Sequence, residues 1–298
     1  MGSPPVDAGL LTERAQEATP ASAQPGGLGR WIGEPFPGRT TEMRDLLLEV
    51  TRGVATLSIN RPKSRNALAL QTMAELDEAL DAVKRERARV LVIRGVGHQA
   101  FCAGGDLKEL EHMRSEADAA SMARRMRATL DRLPQLPIPV IAGLNGDAFG
   151  GGAELAVACD VRIAAAHARI GFAQVTLGLM PAWGASERLA ALVGRGRALH
   201  LLLGGQPIAA DEALRMGLVE EVVPTQKFDG RLAELATSIA AVPVAAIAGI
   251  KRSVDSVRPH RNPELADATI DEFAKTWAHP AHWKAVERME KRRKARKK

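Results

Sequence analysis

The stretch Asn145-Gly146-Asp147-Ala148-Phe149-Gly150-Gly151-Gly152-Ala153-Glu154-Leu155 decides the reading of this chain. An apolar run, Pro139-Val140-Ile141-Ala142, precedes it, and Ala153-Glu154-Leu155-Ala156-Val157-Ala158-Cys159, rich in alanine and leucine, favours helix after it. Three glycines therefore stand where a strand gives way to a helix N-terminus. Unpaired N–H groups and the positive dipole end draw negative charge there, and glycine lets a ligand come close to the backbone.

Upstream, Phe101-Cys102-Ala103-Gly104-Gly105-Asp106-Leu107-Lys108 repeats the arrangement, with strand-like Val90-Leu91-Val92-Ile93 before it and helical 106–110 after it. Two N–H donors from two such loops would form an oxyanion hole. A preorganised donor of this kind contributes about 3 kcal/mol to a transition state that builds charge on oxygen.

These loops, with Asn60-Arg61-Pro62 and Asn66-Ala67-Leu68, resemble the crotonase superfamily, the enoyl-CoA hydratase/isomerase family, over residues 46–293. The resemblance implies an α/β fold, a spiral of ββα units with a C-terminal helical trimerisation region, and assembly as a homotrimer or hexamer. It implies an acyl-CoA substrate and no separate cofactor, coenzyme A entering as part of the substrate. Gly105 and Gly151 would supply the oxyanion N–H groups. Arg65, Asn66, Ala67, Leu68, Ala103, Gly105, Asp106, Leu107 and Lys108 would contact coenzyme A, largely through backbone groups.

Glu154 matches the first acid of the hydratase subgroup; as a bland alternative it is a first-turn carboxylate on a helix dipole. Where hydratases usually carry a second glutamate the chain has Gln174, which can orient water or substrate but cannot act as an acid or base. Trp183, in Met180-Pro181-Ala182-Trp183-Gly184, either fills core volume or narrows the acyl pocket. The Pro-Ala-Trp-Gly run, Gly-Gly-Gly-Ala-Glu and Trp277-Ala278-His279-Pro280 are similar to ethylmalonyl-CoA decarboxylase-type members, so release of carbon dioxide from a 2-carboxyacyl-CoA stands as an alternative to hydration or isomerisation.

Along the rest of the chain, alternating strands and helices agree with an α/β architecture. Residues 1–43, rich in Pro, Gly, Ala and Ser, read as a disordered extension. Residues 44–245 read as the core, 246–290 as a C-terminal helical region, and 291–298 as a basic tail. Strands are expected at 46–50, 54–59, 89–94, 161–165 and 168–172, and helices at 70–86, 116–133 (ending at Pro134), 186–203 and 209–216. Gly95-Val96-Gly97-His98-Gln99-Ala100 imitates a dinucleotide fingerprint, but Phe101 to Gly105 continues as loop where that motif opens a helix.

A net charge of +6 and the terminal Lys/Arg cluster raise an RNA-binding or scaffolding alternative. No aromatic residue is interleaved with those charges to stack on bases, so nucleic acid is not the expected partner. Lys251 and Arg252 are candidates for a coenzyme A phosphate or for plain surface solvation. Cys102 and Cys159 lack metal-ligand spacing, and His279 and His282 lack a third ligand, so no metal is expected. The absence of a secretory-type start or of a long apolar run leads to a cytoplasmic, non-membrane expectation.

Overall fold

The computed structural model describes residues 38–256 and 263–295. Seven strands form one mixed sheet, in the spatial order β1 (Arg39–Glu42), β2 (Leu46–Thr51), β3 (Val54–Ile59), β4 (Val90–Gly95), β6 (Val140–Leu144), β8 (Val161–Ala165) and β11 (Glu221–Val223). A second sheet of four contains β5 (Ala100–Cys102), β7 (Asp147–Phe149), β9 (Arg169–Gly171) and β10 (Ile208–Ala209). The helices are α1 (Leu70–Arg85), α2 (Leu107–Leu110), α3 (Glu116–Gln135), α4 (Gly151–Ala158), α5 (Ala185–Val193) and α6 (Arg195–Gly204). They continue as α7 (Ala210–Met216), α8 (Phe228–Ala240), α9 (Val244–Asp255), α10 (Pro263–Ala278) and α11 (Pro280–Ala295).

The connectivity is a spiral. In β4–β5, β6–β7 and β8–β9 the first strand joins the large sheet and the second joins the small one, before the chain returns for the next pair. Successive first strands are parallel neighbours, and so are successive second strands. The loops that leave β5 and β7 are therefore side by side.

All five residues of β6 are buried, as expected for a central strand covered on both faces. On one face Val90, Val92, Ile141, Ile163 and Val223 pack under Phe228, Leu232 and Ala236 of α8. The other face belongs to the larger core, which includes α1, α3 and α4. Each large apolar side chain so buried contributes about 1.5–3 kcal/mol. α4 is buried along its whole length, and its glycines allow the close approach: a β-carbon on Gly152 would lie 2.1 Å from the Cys102 carbonyl oxygen.

Several expectations need correction. The extension does not run to residue 43: Arg39–Glu42 is an edge strand, since Arg39 to Glu42 pair with Val50 to Leu47. Residues 1–37 lie outside the described residues. The stretch read as loop after the false fingerprint contains β5, a strand of three residues held by β7. No helix opens there. α3 passes through Pro134 to Gln135; in the last turn proline forfeits one backbone bond without stopping the chain. The expected helix 186–203 breaks at Gly194, which has φ +80°. Residues 291–295 of the basic tail form the end of α11, where cations complement the helix dipole. Residues 296–298 fall outside the description.

Candidate active site

Because β5 and β7 are adjacent, the two glycine loops touch. A β-carbon on Gly104 would sit 2.9 Å from the Phe149 carbonyl oxygen and 3.2 Å from the Gly151 nitrogen. Gly150 turns the chain into α4 with φ +53° and ψ −120°, a conformation barred to residues with a side chain. Gly151 is the first residue of α4, so its N–H has no intrahelical partner. Neither it nor the Gly105 N–H donates to another described residue.

Both loops line a cavity of about 780 Å³. Glu154 and Gln174 reach into it, and both are buried. The Gln174 amide Nε2 donates to Glu154 Oε1 at 2.9 Å. Glu154 Oε2 accepts the backbone N–H groups of Trp183 (2.8 Å) and Ala185 (3.2 Å). Gln174 Oε1 is buried with no hydrogen-bond partner among the described residues.

Burial pushes the Glu154 carboxyl up from 4.5 to about 7. The Trp183 and Ala185 N–H groups, the Gln174 amide and the Arg188 charge oppose that rise without cancelling it. A carboxyl poised there exchanges protons readily near neutrality. By contrast, burial raises the thiols of Cys102 and Cys159 to about 12, so both are held as neutral thiols.

Trp183 is buried and also lines the cavity, so its two sequence readings merge. Its ring covers Gly151: a β-carbon there would lie 2.1 Å from Cζ3. Arg65, Ala67, Ala103, Gly105, Asp106, Leu107 and Lys108 all line the same space. Asn66 and Leu68 do not. The Asn66 side chain binds the carbonyls of Ala100 (2.8 Å) and Val96 (3.1 Å), and the Leu68 N–H donates to the Gly104 carbonyl at 2.8 Å. The Leu68 carbonyl and the Ala103 N–H are also occupied, with Asp106 and Arg65. These bonds shape the first loop, and they occupy the donors at Asn66, Leu68 and Ala103 while the Leu68 carbonyl keeps a second lone pair.

Arg65 ion-pairs with Asp147 at 2.7 Å, and Arg61 pairs with Asp106 at 3.0 Å. Lys63, Lys108 and Arg293 bring positive charge to the exposed edge of the cavity. Lys251 does not: its ammonium is inserted between Asp160 (2.6 Å) and the Ile138 carbonyl (2.9 Å), away from the cavity. Sequence reasoning missed Met122 of α3 and Phe273 and Trp277 of α10, which complete the apolar wall. The i, i+4 spacing of Phe273 and Trp277 announces an inward helix face, but not the space that it faces.

Two donor loops, one carboxyl held near neutrality and a ββα spiral define a crotonase-type protein. The family model described as enoyl-CoA hydratase/isomerase matches residues 49–297. The chain is 38% identical over 206 residues to the short-chain-enoyl-CoA hydratase of Clostridium acetobutylicum, covering 68% of this chain and 78% of that one. It is 40% identical over 184 residues to the crotonyl-CoA hydratase of Syntrophomonas wolfei, covering 61% and 70%. The crystal structure of an enoyl-CoA hydratase from Mycobacterium avium subsp. paratuberculosis superposes with a TM-score of 0.75 at 27% identity, covering 83% of this chain and 99% of that one. The chain belongs to the enoyl-CoA hydratase/isomerase family, and is thus an enzyme of the lyase/isomerase group acting on an acyl-CoA thioester.

Proposed function

We propose that the protein adds water across the 2,3 double bond of an enoyl-CoA, with Glu154 as its one acid/base group. The observation that carries this reading is the Gln174 amide. It donates to Glu154 at 2.9 Å and keeps its own buried carbonyl oxygen without a partner among the described residues, as an acceptor for a water O–H.

The thioester oxygen accepts the N–H groups of Gly105 and Gly151. One O–H of the water donates to Gln174 Oε1, and the other proton passes to the Glu154 carboxylate as the water oxygen bonds to C3. The electron pair of the double bond moves onto the thioester as an enolate, held by the two N–H groups. Glu154 then returns its proton to C2. A single carboxyl suffices because the water supplies both the hydroxyl and the proton. Relatives named as hydratases support this reading.

The remaining expectations join the proposal: the chemistry calls for no group beyond substrate and water, the chain assembles as a homotrimer or hexamer, and it works in the cytoplasm. Exposed Leu203, Ile250, Val254 and Leu265 are apolar surface suited to self-association. Light scattering tests the assembly, and cell fractionation the location.

The deciding experiment is mass spectrometry of enoyl-CoA and 2-carboxyacyl-CoA thioesters incubated with the enzyme in deuterated water, beside Glu154→Gln. Gain of water by the enoyl-CoA, lost in Glu154→Gln, is the expected result. Loss of carbon dioxide from a 2-carboxyacyl-CoA without hydration, or deuterium uptake without gain of water, would overturn it.

A further inference from the structure

Behind the carboxylate lies an ion cluster that does not enter the cavity. The two N–H groups that grip Glu154 Oε2 belong to Trp183 and Ala185, and the peptide between them presents the Trp183 carbonyl to Arg188 Nη1 at 2.6 Å. Gly184, with φ +97°, leaves no side chain in the way. A β-carbon there would come within 2.5 Å of Arg188 Nη1 and 3.1 Å of Arg127 Cζ. The second arm of Arg188 pairs with Asp131 of α3. Asp131 also receives Arg127 Nε at 3.2 Å, and the other end of Arg127 pairs with Glu187.

We propose that Arg188 is a positioning residue for the reaction: through the Trp183 carbonyl it fixes the loop whose two N–H groups hold the Glu154 carboxylate in place. The inference rests on Glu154 being the acid/base group.

Two physical arguments support the role. Burying an ion cluster costs desolvation that apolar side chains of similar volume would avoid, so its place directly behind the loop calls for more than core filling. The pinned carbonyl also lies midway between the two donors, so freeing it moves both at once. Among the described elements, α5, α3, β5 and β7 pack most closely against α4, whose Glu154 also meets the uncharged Gln174 and the Trp183 segment. α5 brings Arg188 and Glu187, and α3 brings Arg127 and Asp131. β5 brings Cys102, a neutral thiol, and β7 brings Asp147, already paired with Arg65 and Arg169. Asp131 and Glu187 are each answered by an arginine. Arg188 lowers the Glu154 pKa through its charge, and the two N–H groups it holds in place lower it further. Its loss makes Glu154 harder to ionise.

The test uses Arg188→Met, Arg188→Lys and Asp131→Asn in the full chain, each checked for folding by its thermal melt, with kcat and KM for a short-chain 2-enoyl-CoA followed against pH. In Arg188→Met, kcat should fall about 10- to 100-fold, the loss expected for a hydrogen bond to a charged group, with little change in KM. The acid limb of the kcat profile should move to higher pH, and Arg188→Lys should recover part of both effects. A folded Arg188→Met with the parent's kcat and acid limb overturns the proposal. If Arg188→Met does not fold, Asp131→Asn, which loosens Arg188 while keeping its charge, decides by kcat: a fall at unchanged KM supports the role and the parent's kcat overturns it. Glu154→Gln run alongside separates the two levels. If it keeps turnover, the acid/base assignment fails and the inference with it; if it is inactive while the Arg188 variants are unchanged, the positioning role alone fails.

Discussion

The ring of Trp183 is packed against Gly151, with Cζ3 2.1 Å from where a β-carbon on that glycine would be. Gly151→Ala therefore has to push the indole aside or turn its own N–H away from the cavity. If its N–H is an oxyanion donor, as proposed, its loss costs about 3 kcal/mol and kcat should drop about 100-fold. Adding Trp183→Ala removes the obstacle and should restore part of the rate, a non-additivity that a double-mutant cycle of kcat reveals.

The Glu154 carboxyl carries a pH signature in stability. With its pKa at about 7 in the fold against 4.5 when free, the folded state binds the extra proton between those values. Stability thus falls as pH rises through that window and stays lower above it, by up to about 3 kcal/mol. Glu154→Gln removes the penalty. Its melting temperature should exceed the parent's at about pH 8 and lose that advantage at about pH 5.

Gln174 offers a separate test. Gln174→Ala removes both the amide on Glu154 and the free acceptor, and should lower kcat about tenfold or more. Gln174→Glu places two carboxyls at one hydrogen bond's separation, where they cannot both ionise easily. Its kcat profile should shift toward higher pH, which steady-state assays across pH would show.

Lys251→Met should act on stability alone. It removes the charged partner that the half-buried Asp160 carboxylate meets at 2.6 Å, leaving the Val140 N–H still donating to it, and should cost about 2 kcal/mol, read from the denaturant midpoint. KM for a coenzyme A thioester should not change, since Lys251 stands outside the cavity wall.

What the sequence disclosed follows from how local each feature is. Glycine turns and a helix start leave marks within a few residues, so both loops and Glu154 are readable at sight. β5 and β7 are three residues long and, among the described residues, pair as strands with one another and, for β7, with β9, too short to carry a period. The contact between Trp183 and Gly151 joins segments whose nearness the folded chain alone creates, and Arg188, though only five residues past Trp183, meets its carbonyl through the turn at Gly184, which no sequence period announces. Asn66 looked like a ligand contact because it sits in a motif with residues that do line the cavity. Its amide is used up on the Ala100 and Val96 carbonyls.

The cavity wall is assembled from distant stretches of chain, from Arg61 through to Arg293, and its later part comes from α10 and α11. Those helices are fastened near the site at a few points: Trp277 Nε1 on the Met113 carbonyl, His282 Nδ1 on the Leu177 carbonyl, and Arg114 over the Trp283 ring. Glu154, Gln174 and both glycine loops, to which the proposal gives the chemistry, precede them in sequence. In the finished protein, docking of α10 and α11 and filling of the cavity favour one another, so a bound thioester should slow amide hydrogen exchange in those two helices even though neither carries a reacting group.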